Sequence, residues 1–125
     1  MYGRGKYGSR QTYSGGRVYD SRREAKRAEE LRLLLAAGEI TELREQVTFE
    51  LIPAQYEPVE RYGKRGQRLS DGRQCVEKAC TYIADFVYRR DGVEIVEDAK
   101  GVRTEAYRIK KKLMLYVHGI KIQEV

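Results

Sequence analysis

The chain has 125 residues, 35% of them charged, and a formal net charge of +6, which predicts one domain with a modest core and favours a polyanionic partner. No apolar run approaches the roughly 20 residues of a membrane-spanning helix, and the polar, basic opening does not read as a secretory signal. Two cysteines, Cys75 and Cys80, and a single histidine argue against a disulfide framework or a Cys/His zinc site, and point to free thiols in a reducing cytoplasm.

Residues 1–17 are rich in Gly, Ser and Tyr, carry Arg4, Lys6, Arg10 and Arg17, and meet no acid before Asp20. That composition predicts a flexible basic arm, with residues 18–125 as the domain. Tyrosines among cations suit stacking on nucleic-acid bases; the plainer reading is a solubilising tail. Asp20 or Ser21 then caps a helix to about Ala37, stopped by Gly38. Its apolar stripe holds Ala28, Leu31 and Leu35, and four residues back it reaches Glu24. Glu24 is therefore either a carboxylate at the head of the core-facing stripe or a helix-start acid favoured by the macrodipole.

Glu45 to Ile52 alternates as a strand, with Val47, Phe49 and Leu51 on one face and Pro53 at its end. Residues 54–73 read as a basic loop, and in its Gly-rich part Arg61, Lys64, Arg65, Arg68 and Arg73 are opposed only by Asp71. Two strands follow, around 82–88 and 93–101, joined at Arg90-Asp91-Gly92 by a hairpin signal. Thr104 opens a second helix to about His118. Ala106, Ile109, Leu113 and Tyr116 or Val117 form its predicted inner stripe, with Arg108, Lys111 and Lys112 turned away. Ile120 to Val125 is a last strand. The order is helix, strand, strand, strand, helix, strand (αβββαβ), a fold of the α/β (α+β) class.

The chemistry gathers on the middle hairpin. Asp85 shares a strand face with Ile83 and Val87, where a lone carboxylate is costly. Period two points Asp98 and Lys100 one way and Glu97 and Ala99 the other. Two carboxylates and an ammonium on one patch, with Glu24 upstream, suit a hard divalent cation beside a phosphate, Mg²⁺ or Mn²⁺. Asp85 and Asp98 offer it hard carboxylate oxygens, the upstream helix offers Glu24, the Ala99 carbonyl could add a backbone ligand, and Lys100 would orient or deprotonate the attacking water or neutralise developing charge. The competing reading is a surface salt bridge between Asp98 and Lys100. The chain has no Gly-rich phosphate loop and no Ser/His/Asp arrangement, and His118 reads as helix-end chemistry.

Asp85 followed by Asp98-x-Lys100 on adjacent strands, with Glu24 on the preceding helix, resembles the restriction-endonuclease-like, PD-(D/E)xK nuclease superfamily, with Ala84 in place of its usual proline. Tyr19-Asp20-Ser21-Arg22-Arg23-Glu24-Ala25, Tyr82-Ile83-Ala84-Asp85-Phe86 and Val96-Glu97-Asp98-Ala99-Lys100-Gly101 are similar to strings in small phage-encoded proteins of that superfamily. The resemblance implies a mixed central sheet flanked by helices and metal-dependent hydrolysis of DNA, with Glu24, Asp85 and Asp98 as ligands and Lys100 as the catalytic cation. Its junction-resolving members imply branched DNA as substrate, in recombination, and a homodimer. A nicking or restriction-type endonuclease on duplex DNA, or a non-catalytic DNA-binding protein on a nuclease scaffold, are the alternatives. Gln46 falls on the strand beside the site.

Overall fold

The structure, a computed structural model, describes residues 11–125. It begins with a small antiparallel hairpin of β1 (Thr12–Ser14) and β2 (Arg17–Tyr19). Gly15 and Gly16 turn between them at φ of 56° and 82°, a region where only glycine is at ease. Composition predicts a flexible arm through residue 17, so from Thr12 onward the structure departs from it. The cause is docking on the helix that follows, α1 (Arg22–Ala36). Ser14 donates to Glu29 at 2.9 Å, Arg32 donates to Ser14 at 2.9 Å and to the Tyr19 hydroxyl at 3.1 Å, and Tyr19 is buried.

Ser21 caps α1 by accepting the Glu24 amide at 3.1 Å. The helix buries Glu24, Ala25, Ala28 and Leu31. Leu34 continues the packing, and Leu35 stays exposed. The chain then runs through β3 (Thr41–Ile52), β4 (Gln55–Val59), β5 (Gly72–Glu77), β6 (Cys80–Arg90), β7 (Val93–Asp98), α2 (Glu105–His118) and β8 (Gln123–Glu124). The central sheet has the order β3-β6-β7-β8, antiparallel except for the β7–β8 pair. Asp91 and Gly92 close the β6–β7 hairpin, both at positive φ, as a primed two-residue turn requires. With β1–β2 and β4–β5 set aside, the order is αβββαβ. The fold is mixed α+β.

Residues 54–73 are not simply a loop. β4 and β5 pair as an antiparallel ribbon. Nearly every ribbon residue is exposed, so it carries none of the apolar alternation that marks a half-buried strand.

The helices cover opposite faces of the sheet, and β7 alternates between them. Ile95 and Glu97 turn toward α1, and Val96 and Asp98 toward α2. The inner stripe of α2 differs from the expected one. Tyr107 and Met114 are buried, whereas Ile109 and Tyr116 are 52% and 88% exposed. The helix is rolled to bring Tyr107 beside Tyr82, ring centroids 6.4 Å apart, with Lys100 4.5 Å above the Tyr107 ring.

One irregularity organises the middle of the sheet. On β6, Tyr82 and Ala84 join the α2-side core while Phe86 and Tyr88, of the same parity, join the α1-side core. On β3, Val47, Phe49 and Leu51 pack with the first cluster and Leu43 with the second. Both strands turn over between these groups. The ladder pairs Glu45 with Phe86 and Val47 with Ala84, so the crossover falls on Gln46 opposite Asp85. Gln46 has φ of 54°, a conformation costing a non-glycine residue about 1–2 kcal/mol.

Candidate active site

The crossover brings the predicted carboxylates together. Glu24 reaches it from the first turn of α1 and is only 6% exposed. Gln46 Nε2 donates to Glu24 Oε1 at 3.0 Å and lies 3.4 Å from Asp85 Oδ1. The Ala99 amide donates to Asp85 Oδ2 at 2.9 Å. Asp98 is fully buried and accepts a hydrogen bond from the Tyr82 hydroxyl on Oδ2. Its Oδ1 has no hydrogen-bond partner, but stands at ion-pair distance, 3.2 Å, from Lys100 Nζ.

These carboxylates feel one another. Burial raises Asp85 to about 8, helped by the charges of Asp98 and Glu24 and opposed by the Ala99 amide. Burial also raises Glu24 to about 7, with Asp20, Asp98 and Glu45 adding to it. Desolvation and the bond to Asp98 push the Tyr82 hydroxyl upward.

Glu97 belongs to a different structure. It faces α1, where Arg27 grips it through two bonds of 2.8 and 2.7 Å and the Tyr88 hydroxyl donates a third. Asp98, not Glu97, shares the Lys100 side of the strand, as period two predicts. The pairing with Arg27 is out of reach of strand parity alone, because it depends on which helix covers the other face.

Among the described residues, no three His, Cys, Asp or Glu side chains already form a metal cage. Glu24, Asp85 and Asp98 are close enough to shift one another yet do not converge on one point. Each is tied in place by a neighbour: Glu24 by the Gln46 amide, Asp85 by the Ala99 amide and Asp98 by the Tyr82 hydroxyl. The donor set still fits a hard divalent cation. It offers carboxylate oxygens, one of them buried without a hydrogen bond, in a site where burial penalises the uncompensated charge.

That penalty predicts a pH effect on the metal-free fold. Both acids bind their protons more tightly when folded than the unfolded values of about 3.9 and 4.3. Their contribution is therefore fully present below pH 4 and is lost as pH rises through 7 and 8. In EDTA the melting temperature should fall by several degrees from pH 5.5 to 8.5. Asp85→Asn should flatten that fall, and Mg²⁺ should restore more stability at pH 8.5 than at 5.5. A melting temperature independent of pH in the parent protein would contradict this.

The basic residues are less uniform. Arg4, Lys6 and Arg10 lie outside the described residues. Arg17 is paired with Glu45 at 3.3 Å and Arg68 with Asp71 at 2.8 Å. Arg61, Lys64 and Arg65 sit near the tip of the β4–β5 ribbon. Lys111 contacts Glu124 at 3.1 Å, and with Lys112 it lines a cleft of about 540 Å³ between α2 and the last strand. Arg103, Arg108 and Lys121 also line that cleft, a concentration visible only once β8 is laid beside α2. His118 contacts the Glu50 carbonyl at 2.6 Å in the last turn of α2, away from the carboxylates.

Nothing in the sequence distinguishes Tyr82 and Tyr107 as parts of the site, or Arg27 as the partner of Glu97 on the other face. Gln46 falls only beside it, because the alternation of Val47, Phe49 and Leu51 assigns it to the opposite face, and only the crossover reverses that. A family model matches residues 4–123. The chain belongs to the DUF1064 family. Its description is "protein of unknown function". No curated protein and no solved structure matches the chain. The match takes in Glu24, Gln46, Asp85, Asp98 and Lys100, so this DUF1064 domain contains the whole cluster.

Proposed function

We propose that this chain is a metal-dependent DNA endonuclease with a restriction-endonuclease-like core, acting on branched DNA. The observation that carries the reading is Asp98. A fully buried carboxylate has one oxygen without a hydrogen bond, faces Lys100 at 3.2 Å, and lies beside a second acid, Asp85, that burial has raised to about 8. A merely structural ion pair does not call for two further carboxylates, Asp85 and Glu24, within mutual electrostatic range. A surface salt bridge, the plainer reading, does not describe an aspartate that is 1% exposed.

Mg²⁺ or Mn²⁺ would be held by Asp85, Asp98, the Ala99 carbonyl and Glu24, and would polarise the phosphorus centre and stabilise the attacking and leaving oxygens. The chain's own groups do the positioning. Lys100, as an ammonium, donates hydrogen bonds and accepts none. It is fixed between Asp98 and the Tyr107 ring, where it orients a water oxygen or neutralises charge on the phosphate. Gln46 ties Glu24 to Asp85, and Tyr82 holds Asp98 in one orientation. The cations of the α2 cleft lie next to Tyr107 and suit the phosphates of a strand leading to Lys100.

One such site hydrolyses one strand at a time, so paired cuts need two copies placed symmetrically, and a twofold homodimer is the simplest arrangement. A single gel tests the proposal. Four-way junction, flap, single-stranded and linear duplex DNA are each incubated with Mg²⁺ and with EDTA. Cleavage in Mg²⁺ alone, strongest on the junction and in opposed arms, is expected. Cleavage of linear duplex on one strand only would favour a nicking enzyme. Binding with no cleavage of any substrate would leave a DNA-binding protein on a nuclease scaffold.

A further inference from the structure

We infer that the β4–β5 ribbon enters the major groove of B-form DNA, which makes a duplex arm, not single strands alone, part of the substrate. This rests on the DNA reading above and adds a surface, a groove and a helical form to it.

The ribbon is the distal half of one long hairpin. Ile52 pairs with Cys80 at the end of the central ladder, and Gln55 pairs with Glu77 at the start of the ribbon. The register carries straight across the gap at Pro53-Ala54 and Lys78-Ala79. Proline cannot donate a ladder bond, so the pairing breaks there and resumes. Beyond the break neither strand packs on another element except marginally.

A two-stranded hairpin with no core beneath it is at best marginally stable in water. This one is nevertheless ordered to its tip. Leu69 donates its amide to the Arg61 carbonyl at 2.8 Å, Gly63 to Gln67 at 2.8 Å and Gly66 to Gly63 at 3.0 Å. The last bond is a β-turn with Lys64 and Arg65 at its apex. Gly66 follows at φ of 79°. A built turn thus presents two adjacent cations at the far end of a ribbon exposed on both faces.

Charge and size select the occupant. Residues 60–73 hold five cations against two acids. Among the described residues Arg61, Lys64 and Arg65 pair with no carboxylate, while Arg73 lies over the Tyr56 ring at 4.2 Å. Tyr62 is 58% exposed near the apex. From Gln55 to Lys64 the ribbon extends about 30 Å at roughly 3.3 Å per residue, longer than a groove is deep. The B-DNA major groove, about 12 Å wide, admits a two-stranded ribbon, whereas the major groove of A-form RNA is too narrow.

Methylation of guanine N7, which projects into the major groove, tests this directly. Junction DNA premethylated at N7 should bind the full-length protein at least several-fold more weakly, whereas a minor-groove ligand should leave binding unchanged. Two variants should lose the N7 effect. One is Lys64→Glu with Arg65→Glu; the other replaces residues 60–71 by Asn-Gly. Both should melt like the parent, because the ribbon adds nothing to the core. Alanine at both apex positions should lower the log–log salt slope by about 1.8, at roughly 0.9 for each phosphate no longer neutralised. Duplex RNA of the same sequence should show no ribbon-dependent binding. If the parent cleaves DNA in Mg²⁺ but ignores N7 methylation, or if the charge-reversed variant keeps the N7 effect, the ribbon is not a groove reader and the nuclease reading stands. If the parent neither binds nor cleaves DNA, both readings fall.

Discussion

Asp85→Ala, Asp98→Ala and Lys100→Ala should each reduce cleavage by orders of magnitude while the protein stays folded and still binds DNA in EDTA. Binding survives because phosphate contacts elsewhere dominate affinity. The fold survives because removing a buried carboxylate relieves a desolvation penalty as well as losing a bond. The Asp98 variant is the most informative, since Glu97 stands next to it in the chain. Glu97 is committed to Arg27 and Tyr88 on the opposite face and cannot substitute. Rates of strand scission with circular dichroism on the same samples check both halves. An Asp98→Ala protein that cuts like the parent would remove Asp98 from the site.

Arg27→Ala should be the mirror case, with a large loss of stability. Among the described residues Arg27 is the only cation bonded to Glu97, which is 1% exposed. Removing it strands a buried carboxylate, at a cost of about 3 kcal/mol or more. Glu97→Gln should cost less. It leaves Arg27, which is 22% exposed at its side chain and already bonded to Glu30, with a route to solvent. Urea melts of the two variants give the order. Equal or reversed losses would mean that Glu97 is not the strained member of the pair. Arg27 and Glu24 lie one turn apart on α1, so the same ion pair also fixes where Glu24 meets the sheet.

Much of this is legible in the sequence because it rests on local rules. The Asp-Gly turn, the Ser21 and Thr104 caps, and the separation of Asp98 from Glu97 by strand parity all follow from neighbours a few residues apart. The inner stripe of α2 does not. Leu113 packs against the core as its spacing predicts, but Ile109 and Tyr116 satisfy helical spacing as well as Tyr107 and Met114 do, and only the position of Tyr82 and Lys100 decides between the two rolls. Gln46 is obscured for a related reason. Period two holds along a strand only while the strand keeps one face to one neighbour, and β3 turns over at that residue. The ribbon is hidden in the sequence because an element that buries nothing leaves no apolar pattern.

That last property bears on how such a chain can diversify. Energies of substitutions add independently when the sites share no packing partners, and the ribbon shares almost none with the body. Its length, charge and tip sequence can therefore drift, lengthen or be exchanged without drawing on the stability of the sheet that carries Asp85 and Asp98. Across a lineage the ribbon is free to follow whatever it touches, while the crossover at Gln46 is tied to its neighbours on every side.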